Sequence, residues 1–258
     1  MPVLISERQD DIAILTLNRP EARNALSLEL IDAVLDELAK LAGDRTVRSL
    51  VLTGSGEQAF CAGADLKERL GLAPDERTEH TRKINAISDA LAGFPVPVVA
   101  AIRGFALAGG AELAVACDLR VFADDSIYGL PEVNIGVFPG AGATVRLPGV
   151  VGSGHARDLL FTGRRITAQE AAAMGLADRV VPSSDVLVTA MQLAGTIANG
   201  APLAVRALKA ALDQSVNLPP AEAARIVSRL RAPLDATDDY SEGIRAFTER
   251  RSPRFTGT

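Results

Sequence analysis

Hydrophobic positions in this chain change period along its length, and the period predicts the element. Two short β-rich runs, residues 3–6 and 12–17, flank the polar Gln9-Asp10-Asp11, a pattern that predicts a hairpin. Asn18-Arg19-Pro20 breaks it. From Ser27 the apolar spacing becomes three and four: Leu30, Val34, Leu38 and Leu41 share one helical face, with Ser27 as the expected N-cap and Gly43 as the stop. Continuous apolar runs at 49–53, 97–102 and 118–123 read as buried strands. Pro74 and Asp75 open a helix expected to reach Ala92, with Ile84, Ile87 and Leu91 on its inner face. A loop is expected over 57–66, and the glycine-rich 104–110 is expected to lead into a helix. Strands alternating with helices in this way predict α/β layering with crossover connections.

After Gly140 helical patterns dominate, at 143–146, 154–161, 168–174, 184–198, 202–213, 221–230 and 239–250, with one strand expected at 177–181. The chain therefore divides into an α/β core over residues 1–195 and a helical C-terminal region over 196–258. No repeat with a period of 20–50 residues is visible. At 258 residues, with 48% hydrophobic and 23% charged, the chain can bury a large core. The net charge of -5 and the absence of a basic stripe with interleaved aromatics argue against a nucleic-acid partner. Cys61 and Cys117 form no CxxC, so neither a disulfide framework nor a zinc site is implied. The longest apolar stretch, 94–117, carries Pro95, Pro97, Arg103 and Glu112, so no membrane span is expected. No apolar signal core follows Ser6, Glu7 and Arg8, and a cytoplasmic location is expected.

Three segments carry candidate chemistry. Ala59-Phe60-Cys61-Ala62-Gly63-Ala64-Asp65-Leu66-Lys67 is a small-residue turn entering a helix, where free N–H groups can approach a ligand closely. Gly104-Phe105-Ala106-Leu107-Ala108-Gly109-Gly110-Ala111-Glu112-Leu113 follows a strand and opens a helix, whose N-terminus suits an anion or a carbonyl becoming one. In the third, 128–140, Glu132 follows Pro131 in an apolar neighbourhood that would raise its pKa. Glu112 is also flanked by apolar residues. Two carboxylates beside one carbonyl niche could handle a water and a proton. Other chemistries fail on inventory. GxGxxG and GxxxxGK[ST] are absent, so neither a dinucleotide fingerprint nor a P-loop is present. With no GxSxG and only His80 and His155, neither a serine hydrolase nor a metal site has its parts.

Taken together the three segments resemble the crotonase family, the enoyl-CoA hydratase/isomerase superfamily. The resemblance rests on Ala-Gly-Ala-Asp-Leu-Lys at 62–67, Ala-Gly-Gly-Ala-Glu-Leu at 108–113, and Leu-Pro-Glu at 130–132 followed by Gly-Val-Phe-Pro-Gly-Ala-Gly. Leu-Asn-Arg-Pro-Glu-Ala-Arg-Asn-Ala-Leu at 17–26, Phe-Thr-Gly-Arg-Arg-Ile-Thr-Ala-Gln-Glu-Ala at 161–171 and the tail at 243–251 also fit, so it covers nearly the whole chain. It implies a spiral of ββα units with a helical C-terminal trimerisation region, trimers often pairing into hexamers, and acyl-CoA thioester substrates with no metal or redox cofactor. By position Ala64 and Gly109 match the oxyanion-hole donors, and Glu112 and Glu132 match the catalytic carboxylates, the first activating water and the second delivering a proton to the α-carbon. Matching CoA-binding positions are Ala22, Arg23, Ala62, Asp65, Leu66, Lys67, Phe247 and Arg250. At Arg250 family members often have lysine, and arginine keeps the charge while suiting phosphate in bidentate geometry.

The resemblance, with both glutamates present, points to hydration of a trans-2-enoyl-CoA to a 3-hydroxyacyl-CoA. Within the fold the alternatives are a Δ3-Δ2 enoyl-CoA isomerase, which needs one acid/base at the Glu132 position, or another crotonase-fold acyl-CoA enzyme, a decarboxylase, hydrolase or ring-forming synthase, using other side chains. A non-catalytic acyl-CoA-binding protein is the alternative outside enzymes; it would bind thioester without turnover.

Overall fold

A computed structural model describes all 258 residues, Met1–Thr258. The expected hairpin stands first: β1 (Leu4–Gln9) pairs antiparallel with β2 (Ile12–Leu17). Helix α1 (Leu28–Gly43) follows, and the Ser27 hydroxyl accepts the Leu30 N–H at its N-cap. Three strand–strand–helix units come next. The first is β3 (Ser49–Gly54), β4 (Ala59–Cys61) and, after the short α2 (Leu66–Leu70), α3 (Pro74–Ala92). The second is β5 (Val98–Ile102), β6 (Phe105–Leu107) and α4 (Gly109–Ala116). The third is β7 (Leu119–Ala123), β8 (Ile127–Gly129) and, beyond a 3-10 turn at Pro131–Ile135, α5 (Ala143–Thr162). The chain continues through β9 (Arg165–Thr167), α6 (Ala168–Ala173), β10 (Arg179–Val181) and α7 (Val186–Ala198). It closes with α8 (Pro202–Ser215), α9 (Pro220–Arg231) and α10 (Asp238–Glu249).

First strands of the units extend the hairpin into a six-stranded sheet ordered β1-β2-β3-β5-β7-β10, parallel from β2 onward. Second strands build a four-stranded sheet ordered β4-β6-β8-β9. Each unit thus adds a strand to both sheets, and the chain advances as a spiral. Two expectations are corrected here. The loop expected over 57–66 contains β4, and the helices expected at 143–146 and 154–161 are one element, bent where Gly152 leaves helical geometry (φ 79°, ψ 155°). The C-terminal half also holds β9 besides the strand expected near 177–181.

Alternation along the central strands divides the core in two. Leu50 and Leu52, Val98, Ala100 and Ile102, and Phe122 join the large cluster that also holds the inner faces of α1, α3 and α4. Their neighbours Val51, Val99, Ala101, Val121 and Ala123 face the other way, onto Val186, Ala190 and Ala194 of α7. No single helix is long and apolar enough to cross a membrane.

Asn24 fastens the turn before α1 to the β3–β4 connection. It is fully buried at φ 54°, its Nδ2 donates to the Ser55 and Ala59 carbonyls (3.0 and 2.8 Å), and its Oδ1 accepts the Arg19 N–H at 2.9 Å. Asn24→Ala strands these three partners, the Ala59 carbonyl in the interior and the other two partly buried. We expect a loss of about 2–4 kcal/mol in urea unfolding at unchanged m-value.

Candidate active site

Two turns meet just beyond β4 and β6, which pair side by side in the four-stranded sheet. On the first, the Leu26 N–H donates to the Gly63 carbonyl (2.8 Å) and the Asp65 N–H donates to the Leu26 carbonyl (3.1 Å), a parallel bridge between Leu26 and Ala64. A residue flanked by two such bonds turns its own N–H to the opposite side. The Ala64 N–H therefore points away from Leu26, and no group of the chain accepts it. On the second turn, Ala108 is held at φ 49°, ψ -125°, a costly conformation for a residue with a Cβ. Its N–H donates to the Gly129 carbonyl (2.9 Å) and its carbonyl accepts the Glu112 N–H (3.0 Å), so the strained unit is tied on both sides. Gly109 then opens α4, and a first-position N–H has no carbonyl one turn back. The turns are in contact: a Cβ on Gly63 (φ 94°) would lie 2.7 Å from Ala108 Cβ and 3.0 Å from Gly109 N. Two unpaired N–H groups thus adjoin at the N-terminus of a wholly buried helix, whose dipole adds to them.

The carboxylates flank this pair from separate elements. Glu112 lies one turn into α4, 3% exposed, and its Oε1 accepts the Ala141 and Ala143 N–H groups at 2.8 and 3.1 Å. Glu132 sits on the 3-10 turn, 8% exposed, and its Oε2 is buried with no hydrogen-bond partner. Burial pushes Glu112 above the usual carboxylate value, while the two N–H donors and the Arg146 charge pull it back. Burial pushes Glu132 up to about 7, and the Glu112 charge adds in the same direction. Two nearby acids in unequal environments can share one proton at neutral pH, with Glu112 ionised and Glu132 protonated. Tyr128, fully buried, donates to the Ala111 carbonyl (3.3 Å); burial raises its pKa, and the charges of Glu112 and Glu132 raise it further.

The remaining sequence-derived positions fall into two groups. Ala22 and Arg23 end the turn that runs beside β4, where the Ala62 N–H donates to the Arg23 carbonyl (3.0 Å) and the Arg23 guanidinium stands 5.9 Å from the Phe105 ring centre. Asp65 caps α2 by accepting the Lys67 and Glu68 N–H groups and pairs with Arg19 at 3.0 Å, leaving Leu66 and Lys67 exposed. Burial opposes the Asp65 charge, but Arg19 and the N–H donors outweigh it and hold the pKa below the usual range. Phe247 and Arg250 lie on α10 and at its C-cap. Phe247, 86% exposed, borders a different cavity of about 430 Å³ with Leu203, Tyr240 and Phe255. The sequence reading missed Arg146 and the Ala141 and Ala143 donors. Backbone N–H groups leave no side-chain signal, and Arg146 reads as an ordinary surface charge on a helix.

The family model for enoyl-CoA hydratase/isomerase matches residues 7–258. The human "Enoyl-CoA hydratase domain-containing protein 2, mitochondrial" is 41% identical over 250 residues, 95% of this chain and 86% of that one. A crotonyl-CoA hydratase of Syntrophomonas wolfei is 37% identical, over 98% of this chain and 97% of its own. The crystal structure of an enoyl-CoA hydratase from Bacillus anthracis superposes with a TM-score of 0.98 at 37% identity, covering 99% of this chain and all of that one.

Proposed function

The chain belongs to the enoyl-CoA hydratase/isomerase family, and from that premise we propose that it hydrates trans-2-enoyl-CoA thioesters to 3-hydroxyacyl-CoA. The observation that carries this reading is the unequal carboxylate pair beside two unpaired N–H groups. The thioester oxygen accepts from Ala64 and Gly109. Ionised Glu112 takes a proton from water as the water oxygen bonds to C3, and the alkene electrons move through C2 onto the thioester oxygen. The enolate-like oxygen gains charge, and a donor aimed at such charge is worth about 10²–10³ in rate. Protonated Glu132 then gives its proton to C2. Water's other proton stays on the new hydroxyl, so atoms and charge balance with no metal or redox group. An isomerase would need Glu132 alone, so the fixed, ionisable Glu112 favours hydration.

For the rest of the substrate, Ala22, Arg23, Ala62 and Asp65 to Lys67 are proposed to hold CoA. Phe247 and Arg250 are proposed to reach the nucleotide of a neighbouring subunit in a trimer or a pair of trimers. Exposed apolar residues on the C-terminal helices, Leu208 and Leu212 of α8 and Ile244 and Phe247 of α10, support an interface there. The test is a panel of 2-enoyl- and 3-enoyl-CoA thioesters of several chain lengths. Formation of 3-hydroxyacyl-CoA is the expected result. Interconversion of enoyl isomers without hydration, or binding without turnover, would select the other readings.

The proton inventory sets a pH profile. The active free enzyme holds one proton on the pair, so kcat/KM for hydration should be bell-shaped. Above about 7 Glu132 loses its proton and the rate falls. The acid limb, where Glu112 gains a proton, lies above the usual 4.5. A kcat/KM that still climbs between pH 8 and 9 would contradict the assignment of Glu132 as the acid.

A further inference from the structure

We infer that His80 is a positioning residue for the carbonyl-binding turn, acting through the Leu26 carbonyl on the segment that carries the Ala64 N–H. The inference rests on the thioester-binding reading above. His80 lies on α3 at the same face as Ile84, Ile87 and Leu91 and is fully buried. Its Nε2 stands 3.0 Å from the Leu26 carbonyl oxygen, and its Nδ1 stands 3.4 Å from Arg69 Nη1. A carbonyl only accepts and a guanidinium only donates, so both neighbours demand one tautomer: the proton on Nε2 and the lone pair on Nδ1. Burial, the largest influence, holds the ring below its usual pKa against the upward pull of the Leu26 bond; the Arg69 charge adds to burial, Glu68 and Asp65 oppose it, and the ring stays neutral.

The Leu26 peptide is a junction. Its N–H holds the Gly63 carbonyl, and its carbonyl accepts both the Asp65 N–H and His80 Nε2. Gly63 and Asp65 are the two residues on either side of Ala64. The same helix face also backs the other donor, because a Cβ on Gly109 would lie 3.4 Å from Ile84 Cγ2. Helix α3 therefore stands behind both N–H carriers, with a polar tether at one and an apolar contact at the other. Arg69 is itself held from α3, donating to Thr81 Oγ1 at 3.0 Å. A leucine would fill the same buried volume without a donor. The polar ring is explained by the carbonyl it grips.

The test reads the carbonyl directly. Butanoyl-CoA labelled with ¹³C at the thioester carbonyl has no alkene to hydrate, and infrared difference spectra report how strongly the bound carbonyl is polarised. In the wild type its stretch should fall below the value in water. His80→Leu should lose at least about half of that shift and lower kcat about tenfold with KM within about twofold, since ångström-scale misplacement of a donor costs up to about 10². His80→Gln, whose side-chain amide can donate from the Nε2 position, should restore both. A His80→Leu protein with reduced thermal stability but the full shift and wild-type kcat would overturn the inference. Arg69→Met removes the partner from outside the core, so it gives a second reading if His80→Leu does not fold. It should show an intermediate shift, and an unchanged shift there also overturns the inference. No shift in the wild type would overturn the carbonyl-binding reading together with this one. A wild-type shift without hydration of any enoyl-CoA would overturn hydration alone.

Discussion

Replacing Glu132 by glutamine is expected to lower kcat for hydration by about 10²–10⁴-fold, the usual contribution of a positioned acid or base. The Kd for a saturated acyl-CoA should stay within a few-fold. Glutamine keeps the size and the 3-10 turn but cannot release a proton to C2. The groups proposed to bind the thioester are others, the N–H pair and the turn from Ala62 to Lys67, and Glu132 is not among them. The substitution also has a stability signature. In the wild type the carboxyl titrates near 7 instead of 4.5, because burial and Glu112 disfavour its charge. Below 4.5 the group is neutral folded or unfolded and costs nothing. Between 4.5 and 7 the unfolded chain ionises more readily than the folded one, and above about 7 the full penalty is present, up to about 3 kcal/mol. Glu132→Gln should therefore raise Tm relative to wild type at pH 8, with the gain vanishing toward pH 4. Wild-type turnover in this variant would show that another group supplies the proton. An unchanged Tm at pH 8 would show that Glu132 is not buried as a charge.

The parts of this architecture that follow side-chain periodicity were legible in the sequence. The bounds of β2, α1 and α3 emerge at the residues where apolar spacing and caps place them, from Ile12, Ser27 and Pro74. The spiral was legible only through the family resemblance, not through periodicity. The second strand of each unit, Ala59–Cys61, Phe105–Leu107 and Ile127–Gly129, is three residues long, too short for a period of two to register. These strands lead into the two turns, so the repeat and the meeting of the turns both escape a reading of periodicity alone. The glutamates were visible as residues, but their inequality was not. It depends on Ala141 and Ala143, some 30 residues away, donating to Glu112 and not to Glu132. His80 was visible only as one of two histidines. Its spacing to Ile84, Ile87 and Leu91 places it on the buried face, and a polar residue in such a row implies a partner that the sequence does not name.

Gly110→Ala should damage the enzyme more than its single methyl suggests. A Cβ at this position would meet the Cys61 carbonyl oxygen at 2.2 Å and Cys61 C and Cβ at 2.7 Å. None of these atoms can swing aside. Cys61 is fully buried in β4, registered against Ala106 of β6, and the next N–H, of Ala62, is bound to Arg23. Ordinary contact at such a point needs more than 3.4 Å, so relief requires α4 to move by about 1 Å. That helix carries both the Gly109 N–H and Glu112, and β4 leads straight to Ala64. The methyl thus separates the two N–H groups from each other and moves Glu112, the proposed base, with one of them. A displacement of this size costs about 10²-fold in kcat/KM, and overpacking of this kind costs about 1–3 kcal/mol of stability. Gly109→Ala is the contrast within the same turn. Its new Cβ would meet side-chain methyls of Leu26 and Ile84 at 3.3 and 3.4 Å, which can yield by small shifts, and Gly63 Cα at 3.6 Å, an ordinary contact. Kinetics and urea unfolding of the two variants side by side would separate crowding at one peptide from sensitivity of the whole glycine pair. If Gly110→Ala kept wild-type kcat/KM, the helix would not need its close approach to β4, and the carbonyl niche could not be the contact between these two turns.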